Sequence, residues 1–378
     1  MPAAARFSIL LALLFPGILR AQGRYYHLLV GTYTSGTSEG IYSYRFDTQT
    51  GRLSHEYTAK GVENPSFLAA SPDRRYVYSV NEGPGGAGEV SAFKFSSSTG
   101  RLEFINKQPS GGGAPCYISL SGDGRFLFVA NYSGGNLSAL PVNPDGSLAP
   151  PVQTIQHQGS SINPKRQEKP HVHCAVFSPS GKYLFTPDLG TDKINVYRYR
   201  PGRPEEPLAP ADPPFAAASA GSGPRHLVFS SGGEYAYLVQ ELTAAVTVFS
   251  HEDGKLTPVQ SLPMAAPDFK GEHGAAEIRL SPDGKFLYAS NRGTANEITI
   301  YAINPENGKL ALAGRRSTLG KTPRNFMIDP SGRFLLVANQ NSDSIIIFKR
   351  DRETGLPGET GSMLTVGNPV YLMMLPAD

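Results

Sequence analysis

The feature that most constrains the fold is a turn-and-strand unit that recurs six times along the chain. Each copy begins with four turn residues and continues with a short aromatic and β-branched segment, as in Ser281–Gly284 followed by Phe286–Tyr288. The copies begin at residues 71, 121, 178, 230, 281 and 329, so their spacings are 50, 57, 52, 51 and 48 residues. Pro at the second turn position and Gly at the fourth favour a type I turn that closes on a positive φ. The pattern predicts a repeating β-sheet protein.

The units also indicate how the chain closes on itself. Each unit continues with a third strand and a second turn, as in Ile298–Ile303 followed by Asn307–Leu310. An N-terminal copy has its second strand at Tyr26–Val30 but no first strand before it, and the missing strand lies at the other end of the chain, in Asn368–Met373. Six complete units and one split unit predict an all-β, seven-bladed β-propeller with four-stranded antiparallel blades. The ring is then closed by a blade shared between the N- and C-terminus, whereas the alternative, a β-solenoid, needs no shared unit.

Composition supports this fold and excludes some partners. The chain has 378 residues, with 41 Gly and 32 Pro, and only 18% of its residues are charged. Abundant turn formers suit an all-β protein better than a helical one. The formal net charge of +3 is small for this length, and Lys and Arg are scattered. Neither a nucleic acid nor an anionic membrane is therefore indicated as a partner.

The N-terminus differs from the rest of the chain. Arg6 precedes the apolar run Phe7–Phe15, which is followed by Pro16 and Gly17 and then by the small residue Ala21. A basic start, a short apolar stretch and a small residue predict a secretory signal peptide at residues 1–22, with an uncleaved anchor as the alternative. We expect residues 24–378 to form a single domain, exported to the periplasm or secreted, monomeric and free of the membrane after cleavage.

The two cysteines, Cys116 and Cys174, do not require a disulfide framework. They fall in neighbouring units but one residue out of phase, so they are expected to face opposite sides of their strands. The sequence therefore predicts that they are not bridged to each other.

Aligning the units brings polar residues to one mouth of the central funnel. Five positions before each turn, at the start of the innermost strand, lie Ser66, Cys116, His173, Arg225, Ala276, Arg324 and Val370. Eleven positions after it, at the end of the second strand, lie Glu82, Tyr132, Leu189, Glu241, Arg292 and Gln340. Arginines that converge from different blades make an anion site, because guanidinium groups suit carboxylate and phosphate oxygens. The alternative is a rim that is polar by default, with Arg225 and Glu241 merely tying two strands together.

An insertion adds further candidates at the same mouth. Residues 157–173 account for the longest spacing and contain His157, His171 and His173 together with Arg166 and Glu168. His171 and His173 alternate along a strand and could share a metal ion, but Glu168 lies in the loop and not at a fixed strand position. A positioned histidine is therefore favoured over a metal ligand. His273, just before the fifth hairpin, is a further candidate. Structural or surface roles are assigned to three other histidines, His226, His27 and His251.

At these residues the chain resembles the lactonase family with a seven-bladed propeller, which includes propeller-type 6-phosphogluconolactonases and fungal muconate-lactone-forming enzymes. The resemblance covers essentially the whole chain after the predicted signal peptide. It rests on several distant motifs in the same order, namely Gly31–Thr34, Asn64–Leu68, Val129–Tyr132, Asn163–Gln167, Pro170–His173, Gly223–His226, Gln240–Glu241 and Ser290–Gly293.

The resemblance implies hydrolysis of a sugar lactone without a metal or redox cofactor. The family's site of one His, two Arg and one Glu corresponds to the catalytic candidates His173, Arg225, Glu241 and Arg292. Water activated by either Glu241 or His173 would attack the ring carbonyl, while arginines hold the anionic substrate and stabilise the oxyanion. The residues expected to bind substrate are Arg324, His171, Arg166, Glu82 and His273.

The predicted signal peptide departs from this family pattern. A phosphorylated sugar lactone is a cytosolic intermediate, so an exported relative is expected to act on an unphosphorylated lactone or on another ester. Two other classes remain open from the sequence. They are a non-catalytic exported binding or scaffold propeller and a quinone- or metal-dependent propeller oxidoreductase.

Overall fold

The computed structural model describes residues 23–83 and 88–378, so the predicted signal peptide at residues 1–22 lies outside the described residues. In this part of the chain the structure consists of β-strands and connecting turns, with a single 3-10 turn at Gln340–Ser342. The prediction of an all-β fold is confirmed. The same residues contain no helix with the length and apolar character that a membrane crossing requires.

The strands are numbered in chain order. The first fourteen are β1 Tyr25–Thr32, β2 Gly40–Asp47, β3 Leu53–Lys60, β4 Leu68–Ala70, β5 Tyr76–Glu82, β6 Gly88–Phe95, β7 Leu102–Pro109, β8 Pro115–Leu120, β9 Phe126–Asn131, β10 Asn136–Pro141, β11 Gln153–Gln156, β12 Val176–Phe177, β13 Tyr183–Asp188 and β14 Lys193–Tyr199. The next fourteen are β15 Leu208–Ala217, β16 Pro224–Phe229, β17 Tyr235–Gln240, β18 Ala245–Glu252, β19 Lys255–Pro263, β20 Ala275–Leu280, β21 Phe286–Asn291, β22 Glu297–Ile303, β23 Leu310–Ser317, β24 Pro323–Ile328, β25 Phe334–Asn339, β26 Ser344–Arg350, β27 Pro357–Thr365 and β28 Pro369–Pro376.

These strands form seven antiparallel sheets of four strands each. Six blades use four consecutive strands: blade 2 is β4–β7, blade 3 is β8–β11, blade 4 is β12–β15, blade 5 is β16–β19, blade 6 is β20–β23 and blade 7 is β24–β27. Blade 1 has the order β28-β1-β2-β3, with Val30 opposite Leu372. The seven-bladed propeller closed by a blade shared between the termini is thus confirmed. A solenoid is excluded because the two ends of the chain pair within one sheet.

The innermost strands surround the central funnel and contact their neighbours, as β16 contacts β20 and β20 contacts β24. Neighbouring blades pack face to face through apolar side chains, for example Tyr237 and Val239 of blade 5 against Ile278 and Leu287 of blade 6. Each such side chain contributes about 1.5–3 kcal/mol when it leaves water. The ring is therefore rigid enough to hold side chains of several blades against one another at the funnel.

Bulges that follow a proline mark the start of four inner strands, and β20, which begins with Ala275, also has a register shift near its start. Each bulged residue follows a proline and has no direct partner on the second strand of its blade; the residues are Cys116, Arg225, Arg324 and Val370. Proline has no N–H to give to the ladder, so pairing is interrupted at this point. A bulge re-aims the side chains near it, and here it breaks the simple alternation of inward and outward residues. Simple alternation therefore does not predict which side chains at the start of these strands lie at the funnel.

Candidate active site

A buried carboxylate surrounded by three arginines forms the centre of the candidate site. Glu241 is 7% exposed. Its Oε2 lies 2.9 Å from Nε of Arg225 and 3.1 Å from Nη2 of Arg292, and its Oε1 lies 2.7 Å from Nη2 of Arg166. Arg225 and Arg166 donate charge-assisted hydrogen bonds to the carboxylate, and Arg292 forms an ion pair with it. The structure therefore brings together three of the four catalytic candidates and adds Arg166 from the insertion.

The hairpin of blade 5 places Arg225 opposite Glu241. Arg225 is the bulged residue of β16, and Glu241 follows directly after β17, where its N–H donates to the carbonyl of Gly223 over 2.7 Å. Gly223 has a positive φ of 67°, and a Cβ at this position would lie 2.6 Å from the side chain of Leu242. Glycine is thus required at the turn into β16. The expected meeting of guanidinium and carboxylate at one end of a hairpin is confirmed.

The other two arginines reach Glu241 from neighbouring parts of the ring. Arg292 follows β21 in blade 6, and its guanidinium also donates to the carbonyls of Gly274 (2.9 Å) and Ala275 (3.2 Å). Arg166 lies in the insertion between β11 and β12 and also contacts the hydroxyl of Tyr132 at 3.2 Å. The insertion therefore lies at the same mouth as the other candidates, as predicted.

The charges of the arginines determine the protonation state of this cluster. Burial disfavours a charged Glu241, but the positive charges of Arg292, Arg225 and Arg166 hold its pKa at about 2. Burial and the nearby charge of Arg292 lower the pKa of Arg225 to about 10. At neutral pH the cluster thus contains a carboxylate and protonated guanidinium groups. A carboxylate with so low a pKa is a weak general base.

His173 lies beside this cluster as a neutral imidazole. Its Nε2 is 3.9 Å from Oε2 of Glu241, and its Nδ1 is 3.6 Å from Sγ of Cys116. Burial, reinforced by the charge of Arg225, lowers the pKa of His173 well below its usual value. The ring also packs edge-on against Tyr132, with 5.3 Å between ring centroids. A neutral histidine in this position can accept a proton from a group bound next to Glu241.

His171 supports the wall of the mouth. Its ring stacks on Tyr132 with 4.5 Å between centroids, and its Nε2 lies 3.2 Å from Glu168. The insertion is fixed next to it because Gln167 is fully buried and donates to the carbonyl of Leu189 over 2.9 Å. His171 is therefore placed to shape the mouth.

Arg324 of blade 7 provides a further cation at the mouth. Its guanidinium lies 5.4 Å from the ring centroid of Tyr33, and no group among the described residues forms a hydrogen bond with it. The hydroxyl of Tyr33 donates to Glu82, at 3.2 and 3.3 Å from its two oxygens, and Ser66 donates to the same carboxylate. Glu82 is thus held by Ser66 and Tyr33, while Arg324 keeps its donors available for a ligand.

Two predicted features are not part of the cluster. His273 is exposed, its ring packs on Phe269, and it forms no hydrogen bond with the other candidates in the described chain. His157 is buried elsewhere, with Nδ1 2.8 Å from Asp188 and Nε2 3.0 Å from the hydroxyl of Tyr197. Residues 23–83 and 88–378 contain no group of three or more His, Cys, Asp or Glu side chains arranged to hold a metal ion.

Sequence reasoning missed a second buried pair directly below the site. His226, assigned to a structural or surface role, is buried, with its Nε2 3.4 Å from Nη1 of Arg225 and its ring 5.3 Å from that of His173. Its Nδ1 faces Glu277 at 3.2 Å. Simple alternation along β16 would place His226 on the opposite side from Arg225, but the bulge at Arg225 breaks that alternation. Glu277 and Arg279, two charged residues within the otherwise apolar β20, were the available sequence signal.

The comparisons with known proteins agree with the fold. The family described as "Lactonase, 7-bladed beta-propeller" matches residues 27–374. The chain belongs to this family. A 6-phosphogluconolactonase of Bacillus subtilis is 35% identical over 348 residues, covering 92% of this chain and 97% of the relative, and one of Formosa agariphila is 38% identical, covering 92% and 99%. The structure of the periplasmic gluconolactonase of Pseudomonas aeruginosa has a TM-score of 0.91 at 46% identity, covering 94% of this chain and 100% of that one.

Membership of the lactonase family confirms the predicted resemblance. It also confirms the predicted enzyme class, a lactone hydrolase. Within this lactonase-family propeller both cysteines, Cys116 and Cys174, are buried and free. The prediction that they do not bridge is confirmed.

The ion pairs of Glu241 predict a pH-dependent contribution to stability. Its folded pKa of about 2 lies below the ordinary value of 4.5, so its charge stabilises the folded state above pH 4.5. This stabilisation, about 3 kcal/mol from the size of the shift, is lost as the pH falls from 4.5 towards 2. Urea unfolding of the parent protein and Glu241→Gln is expected to show a stability difference at pH 7 that shrinks by pH 3.5. A difference that does not change over this range would contradict the ion-pair assignment.

Proposed function

We propose that the protein hydrolyses a sugar lactone in the manner of a 6-phosphogluconolactonase. The observation that carries this proposal is the neutral His173 beside a carboxylate held by three guanidinium groups at the funnel mouth. Relatives named 6-phosphogluconolactonase and a structural neighbour named gluconolactonase support the same reaction. The cluster combines a proton acceptor with donors for a developing oxyanion, which are the two requirements of acyl transfer to water.

In the proposed mechanism His173 is the general base. Its neutral imidazole removes a proton from a water molecule as the water oxygen bonds to the ring carbonyl carbon, and the carbonyl oxygen becomes an oxyanion. The bond from this carbon to the ring oxygen then breaks, and the ring oxygen takes the proton back from the imidazolium to become a hydroxyl. Both oxygens of Glu241 are already paired with guanidinium groups, so we assign this carboxylate to stabilising the transient imidazolium 3.9 Å away and not to removing the proton. We therefore assign the role of base to His173, one of the two alternatives that the sequence leaves open.

The arginines supply the positive potential for the oxyanion and the anionic ligand. Arg166, Arg225, Arg292 and Arg324 lie at the mouth with two carboxylates, Glu241 and Glu82, so cations are in excess among the described residues. Arg225 is enclosed by protein and holds Glu241, whereas the side chain of Arg292 is 15% exposed and that of Arg166 is 42% exposed. Arg292 and Arg166 are therefore the proposed oxyanion donors, and Arg324 the proposed anchor for a distal anionic group.

Export is part of this proposal. Residues 1–22 act as a signal peptide in this proposal, and residues 24–378 form the exported, monomeric domain. The neighbour from Pseudomonas aeruginosa, which is named periplasmic, supports this location. An exported enzyme would meet unphosphorylated sugar lactones or related esters, which remain the proposed physiological substrates.

Turnover of two lactones tests the proposal. Purified protein spanning residues 24–378 is expected to hydrolyse δ-gluconolactone, with or without a 6-phosphate, faster than the spontaneous reaction. His173→Ala is expected to lower kcat by about 10²–10⁴-fold, because it removes the general base. The exposed His55 provides the matched control, and His55→Ala should keep the parent rate. A parent protein without turnover would favour the non-catalytic binding propeller, and an unchanged His173→Ala would contradict the assigned base.

Arg324 makes a separate prediction about specificity. Arg324→Met removes the cation without filling the mouth with a larger side chain. Steady-state kinetics should show a KM for the 6-phosphorylated lactone raised by about 10-fold or more, because a charge-assisted contact contributes about 1.5–3 kcal/mol. The KM for unphosphorylated δ-gluconolactone should change little. An equal change for both substrates would show that Arg324 does not contact the distal anion.

A further inference from the structure

A second buried carboxylate–histidine pair lies beneath the proposed catalytic cluster. Glu277 and His226 are each only 4% exposed. Oε1 of Glu277 accepts the N–H of Ile278 over 3.0 Å and lies 3.2 Å from Nδ1 of His226. Its Oε2 accepts hydrogen bonds from the side-chain amide of Asn325 and, over 3.5 Å, from Nη2 of Arg279. The proposed reaction uses neither His226 nor Glu277, although burying a carboxylate is costly unless it is fully paired.

The partners of His226 determine its tautomer. Nε2 of His226 lies 3.4 Å from Nη1 of Arg225. Because an arginine side chain can only donate hydrogen bonds, Nε2 must be the acceptor. Nδ1 then carries the proton and donates it to Glu277. Burial, reinforced by the charge of Arg225, lowers the pKa of His226 to about 4, so this neutral tautomer persists at neutral pH. The carboxylate of Glu277 thus fixes which nitrogen of His226 is presented to Arg225.

Arg225 is in turn the link to the catalytic cluster. Its Nη1 also donates to the carbonyl of Ala276, and its Nε donates to Glu241 over 2.9 Å. Reversing the His226 tautomer would place an N–H against the N–H groups of Arg225, and this donor–donor contact would push the guanidinium away from Glu241. A continuous path of hydrogen bonds therefore runs from Glu277 through His226 and Arg225 to Glu241.

The same path reaches the strand that closes the ring. Oδ1 of Asn325 accepts the N–H of Leu372 in β28 over 3.0 Å, while its amide donates to Glu277. Asn325 lies in β24 of blade 7, so it connects the shared blade to Glu277 in blade 6. The closure of the propeller thereby helps to orient Glu277.

We propose that Glu277 and His226 are positioning residues for the lactone hydrolysis proposed above: they set the Arg225 guanidinium against Glu241 without touching the substrate. The inference rests on the proposed function for its kinetic test but not for its structural test. Residues of this kind are recognised by coupling to the group through which they act.

A double-mutant cycle measures that coupling. Glu277→Gln is expected to lower kcat/KM for δ-gluconolactone by about tenfold or more in the parent background. In an Arg225→Met background the same change should alter kcat/KM by less than about twofold, because the guanidinium that Glu277 orients is already absent. An equal fold-loss of kcat/KM in both backgrounds would overturn the inference. A residue with a merely structural role would lower kcat/KM by the same factor whether or not Arg225 is present.

Two substitutions of His226 provide a second kinetic test, which does not require the Arg225→Met variant to retain activity. His226→Gln keeps an acceptor for Arg225 and should retain most of the activity, whereas His226→Leu should lose as much as Glu277→Gln. Equal loss in both would contradict the assigned acceptor. The matched control is Glu56→Gln, which removes the carboxylate 2.6 Å from Nδ1 of the buried His27 and should leave kcat/KM within about twofold of the parent.

Imidazole ¹⁵N NMR tests the structural claim without turnover. His226 should show a protonated Nδ1 and an unprotonated Nε2 in the parent protein at pH 7, and Glu277→Gln should reduce the population of this tautomer. A protonated Nε2 in the parent would overturn the inference even if the lactonase activity is present. Absence of lactone turnover with the expected tautomer would instead contradict the proposed function alone.

Discussion

The contact on which the rest of the site depends is the buried carboxylate of Glu241 among three guanidinium groups. An ionised carboxylate at 7% exposure is tolerated only because Arg225, Arg292 and Arg166 pair with it. These arginines come from two blades and one insertion, so the cluster forms only when the ring is assembled. The same charges disfavour protonation of His173 next to them. One electrostatic arrangement therefore sets the protonation states of both the carboxylate and the proposed base.

The fold was predictable because its determinants are local and repeated. The turn residues and aromatic strands specify each hairpin, and the resemblance between Asn64–Leu68 and Asn368–Met373 identifies the shared blade. The apolar contacts between blades follow from strand alternation, which holds through most of the sheet. Less predictable is the start of four of the inner strands, where a proline interrupts the ladder and the next residue bulges.

That local irregularity explains which site residues were found and which were missed. Arg225 and Glu241 are predictable because a tight hairpin brings the start of its first strand next to the end of its second strand, and a shift of one residue in register does not change this. His226 was missed because alternation places it on the opposite side from Arg225, and only the bulge lets both lie at the funnel. His273 was included on its position near a hairpin, but the structure leaves it exposed against Phe269. Contacts between blades, such as that of Asn325 with Glu277, have no signature in the sequence.

We propose that the charge of Glu241, and not merely its shape, makes the cluster catalytic. The most direct test compares kcat/KM of the parent and of Glu241→Gln for δ-gluconolactone at pH 7, with circular dichroism to establish that both are folded. Loss of the charge that holds the arginines and stabilises the imidazolium should lower kcat/KM by about 10²-fold or more. A folded Glu241→Gln variant with activity within about twofold of an active parent would contradict the account.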